Sequence, residues 1–280
     1  MTILVTGARG HVARSLIRQL LAAGEQVRAA SKNPAATHLP TGVDVVDAGS
    51  AALALDGVDR MFLYADRQGL DAFLAKAREA GVRHAVLLSA ALADPAATDA
   101  IARMHGVAEE SVTASGLSWT VLRPGAFATN TLGWAPEIIA EGKVTSPFPD
   151  THSAPIHEAD IAEIALKALT EDGHENAVYR LTGPASLTQR DQMNTIARVI
   201  GRTIEWHLQD LETHRQALSR WGSPEVVESL VQNSIAAINT PETPSTTFTD
   251  LTGKPPRTFA QWTEDHKHAF TATNQPESEG

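Results

Sequence analysis

The sequence contains no cysteine, so disulfide bonds, thiolate metal ligands and cysteine nucleophiles are all excluded. It also lacks a basic run, and its net charge of -10 gives it no general means of neutralising a nucleic-acid backbone. No apolar run is long enough to span a bilayer, and no signal peptide precedes the first predicted strand. We therefore expect a cytoplasmic protein with no nucleic-acid partner and no membrane association.

Two catalytic patterns are missing as well. The histidines are scattered, without the spacing of two histidines and a glutamate that typifies zinc enzymes, so we expect no metal site. No Gly-x-Ser-x-Gly motif occurs, which leaves a serine hydrolase unsupported. The length of 280 residues allows one large domain, or a sheet domain with a smaller appendage.

The clearest pattern that is present lies at the start of the chain. A short apolar strand, Ile3 to Val5, is followed by a glycine-spaced turn, an amphipathic helix and a second strand at Gln26 to Ala30. The turn has the form Gly-x-x-Gly-x-x-Ala, with Gly7 and Gly10 as its glycines. Such a turn lets the backbone approach a pyrophosphate at the N-terminus of the helix, so this unit predicts a dinucleotide site. The alternative is that the glycines only make a tight strand-to-helix turn.

Strands and helices then alternate along most of the chain. This alternation predicts the α/β class, with a doubly wound parallel sheet of the Rossmann type whose ligand lies at the carboxyl ends of the strands. We expect residues 1–183 to form the nucleotide-binding domain, with 131–153 contributing to the substrate cleft. Residues 184–270 should form a smaller, mostly helical substrate lobe, and 271–280 a disordered tail.

The end of the second strand indicates which dinucleotide binds. Proteins that prefer NAD usually carry a carboxylate there for the ribose 2′-hydroxyl, but residues 29–33 contain none. A 2′-phosphate would instead meet Ser31, Lys32 and, across the turn, Arg9. We therefore expect NADP(H) as the cofactor. The alternative is that Lys32 is an ordinary solvated lysine.

Four short motifs together resemble a known family, namely Val5 to Gly10, Ser115 to Phe127, Pro155 to Ala162 and Leu181 to Pro184. They are similar to the NmrA-like branch of the atypical short-chain dehydrogenases/reductases, which includes NADPH-dependent quinone reductases. The resemblance implies an NADP-binding Rossmann domain with a small C-terminal substrate lobe. It leaves the activity open, because the branch contains both working reductases and NADP-sensing regulators.

The resemblance and the strand ends together suggest the cofactor contacts. Tyr64, Ala65 and Ser89 end two strands and should border the nicotinamide and its ribose, although Ser89 could be only a strand-end turn residue. The segment from Pro124 resembles the family's clamp on the carboxamide, and Asp47 resembles the residue that meets the adenine amine; Phe127 could equally be core. The predicted cofactor-binding residues are Thr6, Gly7, Arg9, Gly10, His11, Val12, Ser31, Lys32, Asp47, Tyr64, Ala65, Ser89, Pro124, Gly125 and Phe127.

The residues for catalysis depart from the family pattern. Typical short-chain dehydrogenases use a tyrosine with a lysine four residues later as proton donor, but neither Tyr64 nor Tyr179 is followed by such a lysine. On the helix where the family places this dyad, His105 and Glu109 are four residues apart. His105 could donate a proton, with Glu109 keeping it protonated and Ser89 near the reactive ring. The alternative is an ordinary pair on a helix surface.

These residues predict an NADPH-dependent oxidoreductase that passes hydride directly to an apolar substrate, either quinone-like or an α,β-unsaturated carbonyl. A small apolar or aromatic molecule would then be the partner. The rival interpretation is a non-catalytic protein that senses NADP(H) and transmits its binding. The sequence leaves the identity of the substrate and the oligomeric state open.

Overall fold

The computed structural model describes residues 1–36, 38–50, 54–65 and 69–271 of the chain. The predicted tail lies outside these residues apart from Thr271, as do the predicted helix starts at Ala51 and Gln68. The strands of the main sheet are β1 (Thr2–Val5), β2 (Gln26–Ser31), β3 (Asp44–Asp47), β4 (Arg60–Tyr64), β5 (His84–Leu88), β6 (Ser118–Pro124) and β9 (Ala177–Leu181). The short strands outside it are β7 (Lys143–Thr145), β8 (His152–Ser153), β10 (Leu187–Thr188) and β11 (Glu205–His207).

The helices lie close to where the apolar periodicity predicts them. Those of the first two thirds of the chain are α1 (His11–Ala22), α2 (Leu70–Glu79), α3 (Ala100–Ala114), α4 (Ala135–Glu141) and α5 (Glu158–Thr170). Those of the last third are α6 (Gln189–Ile200), α7 (Leu211–Leu218), α8 (Pro224–Ala236), α9 (Thr247–Thr252), α10 (Phe259–Asp265) and α11 (Lys267–Thr271). None of the helices in the described ranges combines the length and apolarity needed to cross a bilayer.

The main sheet has, among the described residues, seven parallel strands in the order β3-β2-β1-β4-β5-β6-β9. The chain first builds outward from β1 through β2 to β3, and then returns to the other side of β1 for β4. The strand order therefore reverses between β1 and β4, which is where a doubly wound sheet opens a crevice for a ligand. The predicted Rossmann-like fold is confirmed.

Helices on both sides of this sheet explain the unbroken apolar character of its central strands. All the residues of β5 are buried, and Ile3 to Val5 of β1 are fully buried. On one side, α2 and α3 contribute Phe73 and Val112 to a cluster with Leu63 of β4. On the other side, α1 packs against α5. The glycine turn between β1 and α1 is thus held between a rigid strand and a packed helix.

The chain divides into two compact units. The first consists of Met1–Pro124, Glu158–Leu181 and Thr247–Lys254, and contains the main sheet. The second consists of Gly125–His157, Thr182–Thr246 and the residues from Pro255 onward. The chain therefore passes between the units several times.

The second unit has its own core and carries the short strands. β7 pairs with β11 in parallel, and β8 pairs with β10 in the antiparallel sense. Its buried cluster includes Ile138 of α4, Ile196 of α6 and the fully buried Trp262 of α10. The segment predicted to contribute to the substrate cleft, 131–153, belongs to this unit. The helical character expected for the C-terminal region is confirmed.

Candidate cofactor and active site

The glycine turn takes the conformation that its sequence predicts. Gly7 has a φ of +62°, a left-handed backbone that favours glycine. Gly10 is the N-cap of α1 and has no side chain to accept a hydrogen bond from the first turn. The N-terminal amides of α1 are therefore left to other acceptors.

Tyr64, at the end of β4, packs against both glycines. A Cβ atom on Gly7 would lie 2.7 Å from two ring carbons of Tyr64, and one on Gly10 would lie 2.5 Å from its hydroxyl oxygen. That oxygen accepts a hydrogen bond from the backbone N–H of Ala13 at 3.3 Å. Thr6 fixes this arrangement, since its hydroxyl accepts from the Tyr64 amide. The sequence predicted that the glycines make room for a pyrophosphate, and did not reveal that they also make room for a phenol.

The remaining amides at this helix start are suited to an anion. Arg14 begins the helical ladder by donating to the carbonyl of Gly10, and Ala13 donates to Tyr64. The buried amide of Val12 has no acceptor among the described residues. Because the positive end of the helix dipole lies at the same point, an anion that reached the amide of Val12 would displace no protein hydrogen bond of that amide.

The end of β2 presents cationic side chains without partners. Lys32 and Arg9 are exposed, and neither makes an ion pair or a hydrogen bond within the described part of the chain. Ser31 is buried, and its hydroxyl accepts from the Asn33 amide at 3.1 Å. The carboxylate of Asp47 accepts from the amide of Gly49 at 2.9 Å, so it also shapes the turn after β3. Two exposed cations attract a 2′-phosphate more strongly than a bare 2′-hydroxyl, because a phosphate can accept charge-assisted hydrogen bonds from both.

The sequence reasoning missed a basic cavity beside α1. It has a volume of about 440 Å³ and is lined by Arg14, Arg18, His38, Leu39 and Pro40. Arg14 and Arg18 lie one helical turn apart, a spacing that was visible in the sequence. None of the five lining residues is acidic, so the cavity adds to the positive potential on this side of the first unit.

At the carboxyl ends of β5 and β6, three polar side chains form one network. The Glu109 carboxylate, which is 8% exposed, accepts from Arg123 twice, from Nε to Oε1 at 2.9 Å and from Nη2 to Oε2 at 2.5 Å. The hydroxyl of Ser89 donates to the same Oε1 at 2.5 Å. The hydrogen bond from Arg123 to Glu109 raises the pKa of the guanidinium and outweighs burial, which lowers it. The network connects α3 to the ends of two sheet strands.

Glu109 therefore has partners that the helical spacing did not indicate. The sequence suggested that it holds His105 protonated, whereas its two oxygens are bound by Arg123 and Ser89. His105 is half-buried, one turn before Glu109 on α3. The helix α3 runs antiparallel to the strands, and four helical residues span about 6 Å. His105 therefore lies about 6 Å farther than Glu109 beyond the carboxyl ends of the strands. Its role as a proton donor stays a prediction.

The other predicted residues lie in different settings. Ala65 is buried in the apolar cluster beneath the sheet, and the carbonyl of Pro124 accepts from the Ala91 amide at 2.9 Å. In the second unit, Phe127 forms a bridge with Ile156, while a Cβ on Gly125 would lie 3.2 Å from a carboxylate oxygen of Glu242. No sequence motif marked Glu242. His11, by contrast, begins α1 as an exposed residue.

Neither tyrosine occupies the position of the usual proton donor. Tyr64 packs on the glycine turn, and the hydroxyl of Tyr179 shares a 2.8 Å hydrogen bond with Nδ1 of His174. Burial raises the pKa of Tyr179. Since these are the two tyrosines of the chain, no tyrosine is left to form the dyad that protonates a carbonyl in typical short-chain dehydrogenases.

Comparison with known proteins agrees with this arrangement. A family model described as NAD(P)H-binding matches residues 7–172. In Streptomyces griseus, (4-alkanoyl-5-oxo-2,5-dihydrofuran-3-yl)methyl phosphate reductase is 37% identical over 279 residues, covering 96% of this chain and 99% of the relative. In Xenophilus azovorans, the NAD(P)H azoreductase is 31% identical over 286 residues, covering 96% of this chain and 99% of the relative. Among solved structures, the NADPH complex of the quinone oxidoreductase QOR2 from Escherichia coli is 25% identical, with a TM-score of 0.75 and coverage of 94% and 99% of the two chains.

Proposed function

The chain belongs to the NAD(P)H-binding family and is an NADP(H)-dependent reductase of the atypical short-chain dehydrogenase/reductase type, and from this premise we propose that it reduces a conjugated acceptor. The acceptor is a quinone-like compound or an α,β-unsaturated carbonyl. Its reduction yields the hydroquinone or the saturated carbonyl. The predicted membership of the NmrA-like branch, with quinone reductases among its members, is confirmed.

The observation that carries this proposal is the engagement of both tyrosines elsewhere. Tyr64 caps α1 by accepting from Ala13, and Tyr179 is bonded to His174. A simple ketone needs a positioned acid, because charge builds up on one carbonyl oxygen as hydride arrives. A conjugated acceptor spreads that electron pair over its own π system and depends less on such an acid. The missing dyad therefore favours a conjugated substrate.

The chain's own residues provide binding and orientation. When bound, NADPH supplies the hydride. The amide of Val12 and the positive end of α1 hold the pyrophosphate, while Arg9 and Lys32 neutralise the 2′-phosphate. A hydrogen-bonded polar network, called the polar floor below, lies at the ends of β5 and β6 and consists of Ser89, Glu109 and Arg123. Much of the rate would come from holding the reactants in position, as in other enzymes without strong acid catalysis.

We assign to His105 the role of proton donor to the reduced acceptor. It lies on α3 beyond the floor formed by Ser89 and Glu109, on the side where the strands end. An imidazole there can give a proton to the reduced acceptor's oxygen and regain one from water. Glu109 lies one turn away on the same helix, and its carboxylate also accepts from Arg123 and Ser89.

The names of two relatives support a conjugated acceptor. The Streptomyces griseus relative is named for a 2,5-dihydrofuran ring with a 5-oxo group, in which a carbon-carbon double bond adjoins a carbonyl. The Escherichia coli relative is named a quinone oxidoreductase. Both names describe an electron-poor double bond next to a carbonyl group, which is the class of acceptor that the missing dyad favours.

The test compares matched acceptors. NADPH oxidation is followed by absorbance with cyclohexenone and cyclohexanone, which differ by one double bond, and with a simple benzoquinone. We expect kcat/KM for cyclohexenone to exceed that for cyclohexanone by about a hundredfold or more, since only the ketone requires strong acid catalysis. Equal rates with the two would contradict the proposal. NADP(H) binding without turnover on any acceptor would favour the rival function, a sensor of NADP(H).

A further inference from the structure

The hydroxyl proton of Ser89 points in a defined direction, which we call the polarity of this hydroxyl. Ser89 is 3% exposed, and its backbone is fixed to β6 by a hydrogen bond from its amide to the carbonyl of Leu122 at 2.8 Å. Its hydroxyl oxygen lies 2.5 Å from Oε1 of Glu109. Arg123 donates to both oxygens of Glu109 in a forked contact, and a carboxylate paired in this way accepts hydrogen bonds from its other neighbours. The hydroxyl proton of Ser89 must therefore point at Glu109.

This polarity restricts what Ser89 can bind. A serine hydroxyl has one proton and two lone pairs, and the proton is already used inside the protein. Toward the carboxyl edge of the sheet, Ser89 thus offers lone pairs alone. A carbonyl or quinone oxygen of a substrate is also an acceptor, so it gains no hydrogen bond there. A group that carries an N–H or O–H does.

The position of Ser89 identifies such a group on the cofactor. With the 2′-phosphate at the end of β2, the nicotinamide half extends in the other direction from the β1/β4 switch point, over β4 and β5. Ser89 follows β5, two strands and about 10 Å from β1. We propose that Ser89 accepts a hydrogen bond from an N–H or O–H group on the nicotinamide half of NADPH, and that Glu109 with Arg123 is the positioning pair that fixes this polarity.

The inference deepens the proposed function, but it depends on NADPH binding alone and not on the acceptor. Ser89 is then a cofactor-binding residue and not a proton donor to the substrate. Glu109 and Arg123 act through it. A buried, charge-neutralised carboxylate is a suitable device for this purpose, because it orients a hydroxyl without leaving a net charge beside the reacting atoms.

The first test is Ser89→Ala, which removes only the hydroxyl. NADPH affinity is measured by the fluorescence of the bound dinucleotide with no acceptor present. We expect the Kd to rise about three- to tenfold, the value of one neutral hydrogen bond. An unchanged Kd with a reduced kcat would overturn the inference and identify Ser89 as a donor to the substrate.

The second test is Glu109→Gln. The new amide keeps an oxygen for Arg123 and turns its amino group toward Ser89, so the serine must accept there and direct its proton outward. The Kd for NADPH should again rise about three- to tenfold, and Ser89→Ala should add nothing in the Glu109→Gln background. If the two substitutions instead raised the Kd independently, so that their effects multiplied in the double variant, the coupling between Glu109 and Ser89 would be contradicted. Glu110→Gln, an exposed neighbour on α3, is the matched control and should leave the Kd unchanged.

A cofactor analogue distinguishes the two donors on the nicotinamide half. The reduced 3-acetylpyridine analogue of NADPH has no carboxamide N–H but keeps the ribose hydroxyls. If Ser89 accepts from the carboxamide, the effect of Ser89→Ala disappears with this analogue; if it accepts from the ribose, the effect persists. Both results support the inference, whereas equal binding of NADPH by the unmodified and Ser89→Ala proteins would end it. Failure of the proposed function would appear separately, as missing turnover with conjugated acceptors.

Discussion

Strands β5 and β6 carry a polar network at each end, and the two networks differ in charge. At the carboxyl ends, Ser89 and Arg123 bind the ionised Glu109. At the amino ends, the buried imidazole of His84 lies between the hydroxyls of Ser118 and Thr120, 3.1 Å from each. One network holds an ion pair, and the other is neutral.

The neutral network is complete without any ligand. The hydroxyl of Thr120 donates to the carbonyl of His174 at 2.6 Å, so it must accept from Nε2–H of His84, whose Nδ1 then accepts from Ser118. Burial, reinforced by the charge of Arg60, lowers the pKa of His84 to about 4. Both ring nitrogens of His84 thus have hydrogen-bond partners on strand β6. The difference agrees with the proposed division, in which the amino ends serve stability and the charged carboxyl ends would bind the cofactor.

The largest expected effect on cofactor binding comes from adding a side chain to the glycine turn at the carboxyl edge of the sheet. Gly10→Val should weaken NADPH binding by about a hundredfold or more, because the side chain meets the hydroxyl of Tyr64 and enters the space of the pyrophosphate. Isothermal calorimetry measures the Kd. Gly133→Val is the control, since a Cβ on Gly133 has no neighbour within 4 Å. Full-strength binding by Gly10→Val would refute the site.

The proton donor is tested next. His105→Ala should lower turnover about ten- to a hundredfold near neutral pH, with the Kd for NADPH little changed, because the proton must then come from water. Steady-state rates with a quinone and an enone, measured across pH, give the result. His268→Ala, an exposed histidine of the second unit, should turn over normally. If His105→Ala matched the unmodified protein at every pH, His105 would be a structural residue.

Cofactor choice should respond to the charge at the end of β2. Lys32→Glu replaces a cation with an anion beside the 2′-phosphate, so it should reduce the preference for NADPH over NADH by about tenfold or more. The two Kd values, measured separately, give this ratio. Lys76→Glu, an exposed substitution on α2, is the control with the same change in charge. An unaltered ratio in Lys32→Glu would remove Lys32 from the site.

The smallest effect on function is expected at the amino ends. Since the folded state keeps His84 neutral down to about pH 4, its unfolded imidazole takes up protons first, and stability is lost as pH falls from about 6.5 toward 4. His84→Asn should remove this loss, up to about 1.4 kcal/mol per pH unit, while the Kd for NADPH stays the same. Urea unfolding at several pH values measures the slope. A slope identical to that of the unmodified protein would show that His84 does not titrate in this way.

The sequence predicts the fold well, because the fold depends on local periodicity and on burial. The sequence pattern predicts strands at His84–Leu88 and Ala177–Leu181 and a helix at Glu158–Thr170, and these are the observed bounds of β5, β9 and α5. The parallel sheet follows from the regular alternation of strands and helices. The glycine turn could be predicted for a similar reason, since a left-handed Gly7 leaves a local signature. The path of the chain between two units was not predictable, because it depends on packing between distant segments.

The candidate site was less predictable, because its contacts join residues far apart in sequence. Helical spacing placed Glu109 next to His105, but the partners of its carboxylate come from β5 and β6, 20 and 14 positions away. Likewise, no pattern in the sequence indicated that Tyr64 would cap a helix 51 residues earlier. Spacing indicates which residues share a helix face, and it carries no information on what that face meets.

The most direct test of the whole account follows the hydride itself. NADPH deuterated at nicotinamide C4 on the transferred side is incubated with the protein and cyclohexenone, and the product is examined by mass spectrometry and NMR. We predict one deuterium at the carbon β to the carbonyl, with the carbonyl retained, since hydride passes directly to the conjugated acceptor. Deuterium at the carbonyl carbon, in an alcohol product, or NADPH consumption with no deuterium in the product, would contradict this account.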